Sequence, residues 1–307
     1  MQHESQPDAE GRRQDDDEGH ARGCRPSTGR PAGSARVACA VDVGTIDDTG
    51  SDRTGRDMQL RGSRALVTGA TGGIGTAVAE ALSARGARLA LTGRDGERLR
   101  TLAGRLAATA VPADLSDDAG IVALVDESTA SLGRIDLLVH CAGVGHAAAL
   151  TDLPPPRIAE LLALDLYAPI ALTRAVLPQM LAAGHGHVAL VGSIAGLVGV
   201  REESVYSAAK GGLAAFLDSL ADELAGTGVG TTLVVPGAVD TEFFRRRGRD
   251  YDRAFPRPVR PVRVGRAVAR AVATERARVT VPRWLELAVR LHGVAPGVYR
   301  RMSRRFG

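Results

Sequence analysis

The apolar residues of this chain fall into two alternating rhythms. Short runs, Arg64 to Thr68, Arg88 to Thr92, Thr109 to Pro112, Ile135 to Cys141, His187 to Gly192, Gly230 to Val235 and Ala277 to Val281, are rich in apolar side chains and read as buried strands. Between them lie segments whose apolar residues are three and four positions apart. The clearest is Ser204 to Gly226, where Val205, Ala208, Ala209, Leu213, Phe216, Leu220 and Leu224 recur at helical spacing; Thr76 to Ala84 is another. Strands alternating with helices predict an α/β fold, a doubly wound parallel sheet of the Rossmann type, covered by helices on both faces.

The pattern starts only at Met58. Residues 1–57 are rich in Gly, Asp, Arg, Ser and Thr, carry the run Asp15-Asp16-Asp17-Glu18, and offer almost no large apolar side chain. Such a segment buries too little surface to offset its chain entropy, so a disordered tail is expected. It lacks the apolar stretch of a signal peptide, and its acidic residues argue against a transit peptide. Either it is a regulatory tail or an upstream start codon has been assigned to the gene; composition and the placement of Met58 favour the second. The expected organisation is a tail over 1–57, a single domain of the Rossmann type over 58–282 and an amphipathic extension over 283–307.

Charge adds little. The tail holds 8 Arg against 12 Asp and Glu, leaving 31 basic and 23 acidic residues in the remainder. The excess gathers in Arg245 to Arg266 and at Arg300, Arg301, Arg304 and Arg305. It suits anionic substrates, an acyl-carrier partner or a membrane surface, and equally an arginine-rich genome decorating solvated loops. Nothing beyond charge points to nucleic acid. No uninterrupted apolar run reaches the length of a membrane span. Cys24, Cys39 and Cys141 are too few and scattered for a disulfide framework or a metal cluster, so a cytoplasmic protein without a metal is expected. Trp284, Leu287, Ala288 and Leu291 repeat at helical spacing beside Arg283 and Arg290, until Pro296-Gly297 interrupts them. That stripe packs on the parent domain or a second subunit and helps to close a pocket, or it makes peripheral contact with a membrane. The assembly expected is a homodimer or homotetramer.

The candidate chemistry begins with a lysine. Lys210 is the only one in a chain of 39 basic residues. An ammonium is a compact point charge whose donors can reach two partners at once, which a guanidinium fork does not replace. Tyr206, four positions earlier, falls on the same helical face. A tyrosine ionises near about pH 10, and a neighbouring cation lowers that by roughly 1 to 3 units, toward the range useful for acid–base work. Ser193 ends the strand at His187 to Gly192, at the carboxyl edge where open α/β sheets build their sites. At the other end, Gly69-Ala70-Thr71-Gly72-Gly73-Ile74-Gly75 joins the first strand to a helix. Strand, glycine turn and helix in that order cradle a pyrophosphate on free backbone N–H groups.

Together these residues resemble the short-chain dehydrogenase/reductase family, from about Leu60 to Thr241. Thr68-Gly69-x-x-x-Gly73-x-Gly75 is similar to the family's cofactor loop, with Thr71 and Ile74 inside it, and Asp114 to its adenine contact. His140-Cys141-Ala142-Gly143 resembles its Asn-Asn-Ala-Gly segment, and Pro236-Gly237-x-x-x-Thr241, with Val239 inside it, its nicotinamide-side loop. Ser193, Tyr206 and Lys210 match its catalytic serine, tyrosine and lysine. Two positions depart from the family: Asp165 stands where an asparagine holds a proton-relay water, and Cys141 replaces the second asparagine of the segment. Both bear on rate more than on reaction type.

The resemblance implies hydride transfer between a nicotinamide and a small carbonyl or secondary alcohol, with Tyr206 exchanging the proton. Lys210 would lower the tyrosine pKa and hold the ribose, and Ser193 would bind the substrate oxygen. Arg94, following the second strand, favours NADP over NAD by reaching the 2′-phosphate, while Asp95 reads as a helix N-cap. Segments 194–203 and 238–261 are expected to line the substrate pocket. A sensor or scaffold that binds NADP without useful turnover is the alternative, kept open by Asp165.

Overall fold

The computed structural model describes residues 58–252 and 255–306. The expected tail over 1–57 lies outside the described residues. Seven strands follow in chain order: β1 (Arg64–Thr68), β2 (Arg88–Leu91), β3 (Thr109–Ala110), β4 (Leu137–His140), β5 (Gly186–Val191), β6 (Val229–Pro236) and β7 (Arg278–Val281). All pair in parallel, in the order β3-β2-β1-β4-β5-β6-β7. The chain winds outward in both directions from the β1/β4 junction, which opens a crevice at the carboxyl edge.

The helices are α1 (Gly73–Ser83), α2 (Gly96–Leu106), α3 (Asp118–Leu132), α4 (Pro155–Leu162), α5 (Ala168–Ala183), α6 (Ile194–Val198), α7 (Ser204–Glu223), α8 (Phe243–Arg246), α9 (Pro261–Ala273), α10 (Leu285–Val294) and α11 (Pro296–Phe306). Successive strand residues face opposite sides, and β1 shows the consequence. Ala65 and Val67 join a core with Val78 and Leu82 of α1, Leu99 of α2 and Val268 of α9. Leu66 joins the opposite core, with Leu124 of α3, Leu172 and Val176 of α5 and Leu217 of α7.

One helical run, Pro155–Ala183, is long and apolar enough to cross a membrane by length and mean hydropathy, 1.4. It is broken by Arg157, Glu160, Asp165 and Arg174 and packs Leu172, Val176 and Met180 into the core. Its middle, Ala163–Tyr167, widens into a π-helical turn, a local expansion that often accompanies a functional residue.

The C-terminal segment corrects one expectation. Residue 285, outside the predicted stripe, is the side chain of α10 that turns inward: Leu285 is buried, whereas Leu287 is 70% exposed. Gly237 sets this phase, since a Cβ there would come within 2.4 Å of Leu285 Cδ1. Trp284 instead stacks on Phe255, with ring centres 5.1 Å apart. Pro296 does not end the helical structure but opens α11, where a proline at the first position costs no hydrogen bond.

Candidate active site

A cleft of about 780 Å³ runs along the carboxyl edge of the sheet, floored by residues that follow β1, β4, β5 and β6. It brings together Gly69, Gly73, Ile74, Gly75, Arg94, Ala142, Gly143, Pro236, Gly237, Val239 and Thr241 with Asp165, Ser193, Tyr206 and Lys210. Two predicted residues stand outside that lining. Thr71 packs across the backbone at Gly93, where a Cβ would sit 2.8 Å from its Oγ1. Asp114 is exposed and accepts a hydrogen bond from Ser116 N at 2.9 Å; that bond chiefly, with Arg94 nearby, holds its carboxyl below the usual range.

At the cofactor end the backbone is drawn tight. Gly69 adopts φ +62°, and a Cβ on Gly75 would lie 2.1 Å from the Gly69 carbonyl oxygen. Helix α1 starts from Gly72 with no side-chain cap, so its first-turn N–H groups remain available to an anion. Thr68 Oγ1 accepts from Cys141 N and Ala142 N, both at 3.1 Å, which ties the loop after β4 to β1. This open cradle fits the pyrophosphate of a dinucleotide. Asp95 caps α2 by accepting from Arg98 N at 3.0 Å, as its sequence position predicts.

At the other end Tyr206 and Lys210 share one face of α7, both buried. Lys210 Nζ lies 2.9 Å from Asp165 Oδ1 and 5.8 Å from the centre of the Tyr206 ring. Asp165 Oδ2 accepts from Val144 N at 3.1 Å. Burial pushes the Asp165 pKa up, against the pull of Lys210 and of that N–H. The expected lowering of Tyr206 by Lys210 is not what this arrangement produces. Burial and then the Asp165 charge push the phenol above its ordinary value, opposed only by the Ser193 hydroxyl beside it. Asp165 offsets the ammonium that would have stabilised a tyrosinate. Ser193 caps α6 by accepting from Ala195 N at 3.1 Å, which orients its hydroxyl.

His140, the last residue of β4, and Cys141 after it remain uncharged at neutral pH. Burial, then Lys210, lowers His140 to about 3, and burial raises the Cys141 thiol to about 12. His140 Nδ1 is 3.1 Å from Thr68 Oγ1, so it belongs to the tie between β1 and β4.

The predicted pocket segments do line the cleft, through residues such as Val200, Glu203, Phe243 and Pro256. Sequence reasoning missed Val144, Gly145, His146, Arg157, Glu160 and Leu161. They reach the cleft because the chain after β4 folds back over Tyr206, a path that no local pattern announces.

A family model for the short chain dehydrogenase matches residues 63–252. The chain is 32% identical over 220 residues to 3-oxoacyl-(acyl-carrier-protein) reductase FabG of Escherichia coli, covering 70% of this chain and 90% of that protein. It is 30% identical over 262 residues to dehydrogenase/reductase SDR family member 7B of Bos taurus, covering 79% and 81% respectively. A short-chain dehydrogenase from Streptomyces avermitilis superposes with a TM-score of 0.69 at 30% identity, over 80% of this chain and 99% of that one. A short chain dehydrogenase/reductase from Burkholderia phymatum, solved in complex with NAD, shares the fold, with a TM-score of 0.71 at 24% identity over 77% and 94%. With its parallel sheet, glycine cradle and buried tyrosine–lysine pair, the chain belongs to the short-chain dehydrogenase/reductase family of oxidoreductases.

Proposed function

We propose that the protein is an NADP-preferring reductase of small carbonyl compounds, with Tyr206 as the acid that protonates the substrate oxygen. The observation that carries this reading is the group of half-buried Ser193 with buried Tyr206, Lys210 and Asp165 at one end of a cleft whose other end is the α1 cradle. A bound dihydronicotinamide supplies the hydride. Tyr206 gives up its proton as charge develops on the substrate oxygen, and Ser193 donates a hydrogen bond to that oxygen. A phenol held above its ordinary pKa is protonated at neutral pH, the form that reduction requires. In this reading Lys210 holds the ribose, and Asp165, 2.9 Å from its Nζ, fixes the ammonium.

The preference for NADP rests on Arg94. It lines the cleft beyond the end of β2 and suits a phosphate on the adenosine ribose. The test is a panel of ketones and aldehydes, incubated with purified protein and NADPH or NADH. Consumption of NADPH in step with alcohol formation is the expected result. Tight NADPH binding with no product from any member would favour a nucleotide-sensing role instead.

A further inference from the structure

We propose that the site takes neutral carbonyl compounds with apolar substituents and discriminates against keto acids, because the two least exposed cations at this end of the cleft, buried Lys210 and partly buried Arg247, are already neutralised within the chain. The inference rests on the reading of Tyr206 as the proton donor.

The wall beside the phenol is hydrocarbon. Tyr206 clusters with buried Leu153, Leu161 and Ala195, and with Val144, Val200 and Phe243 packed against them. The Phe243 ring lies 5.7 Å from that of Tyr206, centre to centre. It is seated on Gly145, where a Cβ would come within 2.5 Å of its Cζ. A substrate carbonyl that meets the phenol must place at least one substituent against this surface, and burial of apolar area favours an apolar one.

The charges around that wall are closed on themselves. Asp165 holds Lys210 at 2.9 Å. Glu203, three residues before Tyr206, pairs with Arg247 of the loop after α8; the two side chains are 9% and 11% exposed. Farther out, Arg157 pairs with Glu160, Arg246 with Glu242, and Arg249 with both Glu202 and Asp252. Arg201, beside Glu202, is 90% exposed at the rim. Among the described residues that line this end of the cleft, every arginine therefore has an acidic partner.

A substrate carboxylate could claim Arg247 only by stranding Glu203 in the interior, and it would sit beside the charges of Glu203 and Asp165. Breaking a buried pair on one side is costly, as is placing like charges together. A neutral substrate meets neither penalty.

The experiment compares matched substrates: a straight-chain methyl ketone and its ω-carboxylate of equal length, and an aryl methyl ketone with its ring carboxylate. For each pair kcat/KM with NADPH is measured, together with binding to the protein–NADPH complex. The neutral member should lead by at least about tenfold in both readouts. Glu203→Gln, which removes the acidic partner of the Arg247 guanidinium, should narrow the ratio, and Arg247→Met, which leaves the Glu203 charge uncompensated, should widen it. Equal or better use of the carboxylates, lost in Arg247→Met, would overturn the proposal, as would their tighter binding alone. Because binding is read separately, tighter binding of the neutral member without turnover would support the selectivity while removing Tyr206 from the chemistry.

Discussion

Asp165→Asn keeps the shape of a buried side chain and removes its charge. In the native protein the carboxylate lies 2.9 Å from Lys210 Nζ and is, after burial, the main cause of the raised Tyr206 pKa. Lys210 Nζ stands 5.8 Å from the centre of the tyrosine ring. A unit charge at that distance, in a medium of effective dielectric about 20, is worth about 3 kcal/mol, or about 2 pKa units. Uncovering the ammonium should lower the Tyr206 pKa by up to about 2 units, since an exposed cation favours the tyrosinate. In reduction the phenol must be protonated, so the fall of kcat/KM toward high pH follows this group. In the variant that limb should move to lower pH by about 1 to 2 units. Oxidation of the alcohol needs the tyrosinate, and its rate at neutral pH should rise. The assay is a pair of pH–rate profiles in both directions, with thermal melting to confirm that both proteins are folded. An unchanged rate of alcohol oxidation at neutral pH, or a limb that moves upward, would refute the coupling.

Arg94→Ala should weaken NADPH binding by about tenfold or more while sparing NADH, as expected for a lost charge-assisted contact to one phosphate; an unchanged ratio of affinities would make Arg94 a solvated surface residue. Gly75→Ala places a Cβ 2.1 Å from the Gly69 carbonyl oxygen, so dinucleotide affinity and melting temperature should both fall. Gly104→Ala in α2 meets nothing within 4 Å and should be neutral or gain up to about 1 kcal/mol, which makes it the control. Asp136 is bound by Arg64 and Arg134 at 2.7 Å each; burial would raise its pKa, but these arginines outweigh burial and hold it below 3.8. A depressed carboxylate contributes stability above its unfolded pKa and loses it as pH falls through the folded value. Asp136→Asn should cost about 3 kcal/mol in urea unfolding at neutral pH, with the gap closing below about pH 4.

The seven strands were legible because parallel strands are buried on both faces and therefore read as continuous apolar runs. Their ends were less so. β3 ends at Ala110 rather than Pro112, with one further bond to β2 from Val111 N to the Leu91 carbonyl oxygen at 2.8 Å. The pairing of Tyr206 with Lys210 follows from helical spacing alone. The sign of the tyrosine's pKa shift does not, because it depends on burial and then on Asp165, both of which α7 meets only in the folded protein. The C-terminal stripe misled for a similar reason: periodicity names an apolar face, but Gly237 decides that Leu285 is the residue to enter.

The central claim, that Tyr206 is the proton donor, is tested most directly by Tyr206→Phe. The substitution removes one oxygen from a buried ring and leaves the α1 cradle untouched. Hydride transfer from NADPH to a ketone that the unaltered protein reduces should be measured in a single turnover, beside the NADPH dissociation constant. The account predicts a rate lower by about 10²–10⁴-fold, with cofactor affinity within about threefold of the original. A near-normal rate with the same affinity would contradict it and place the proton on another group.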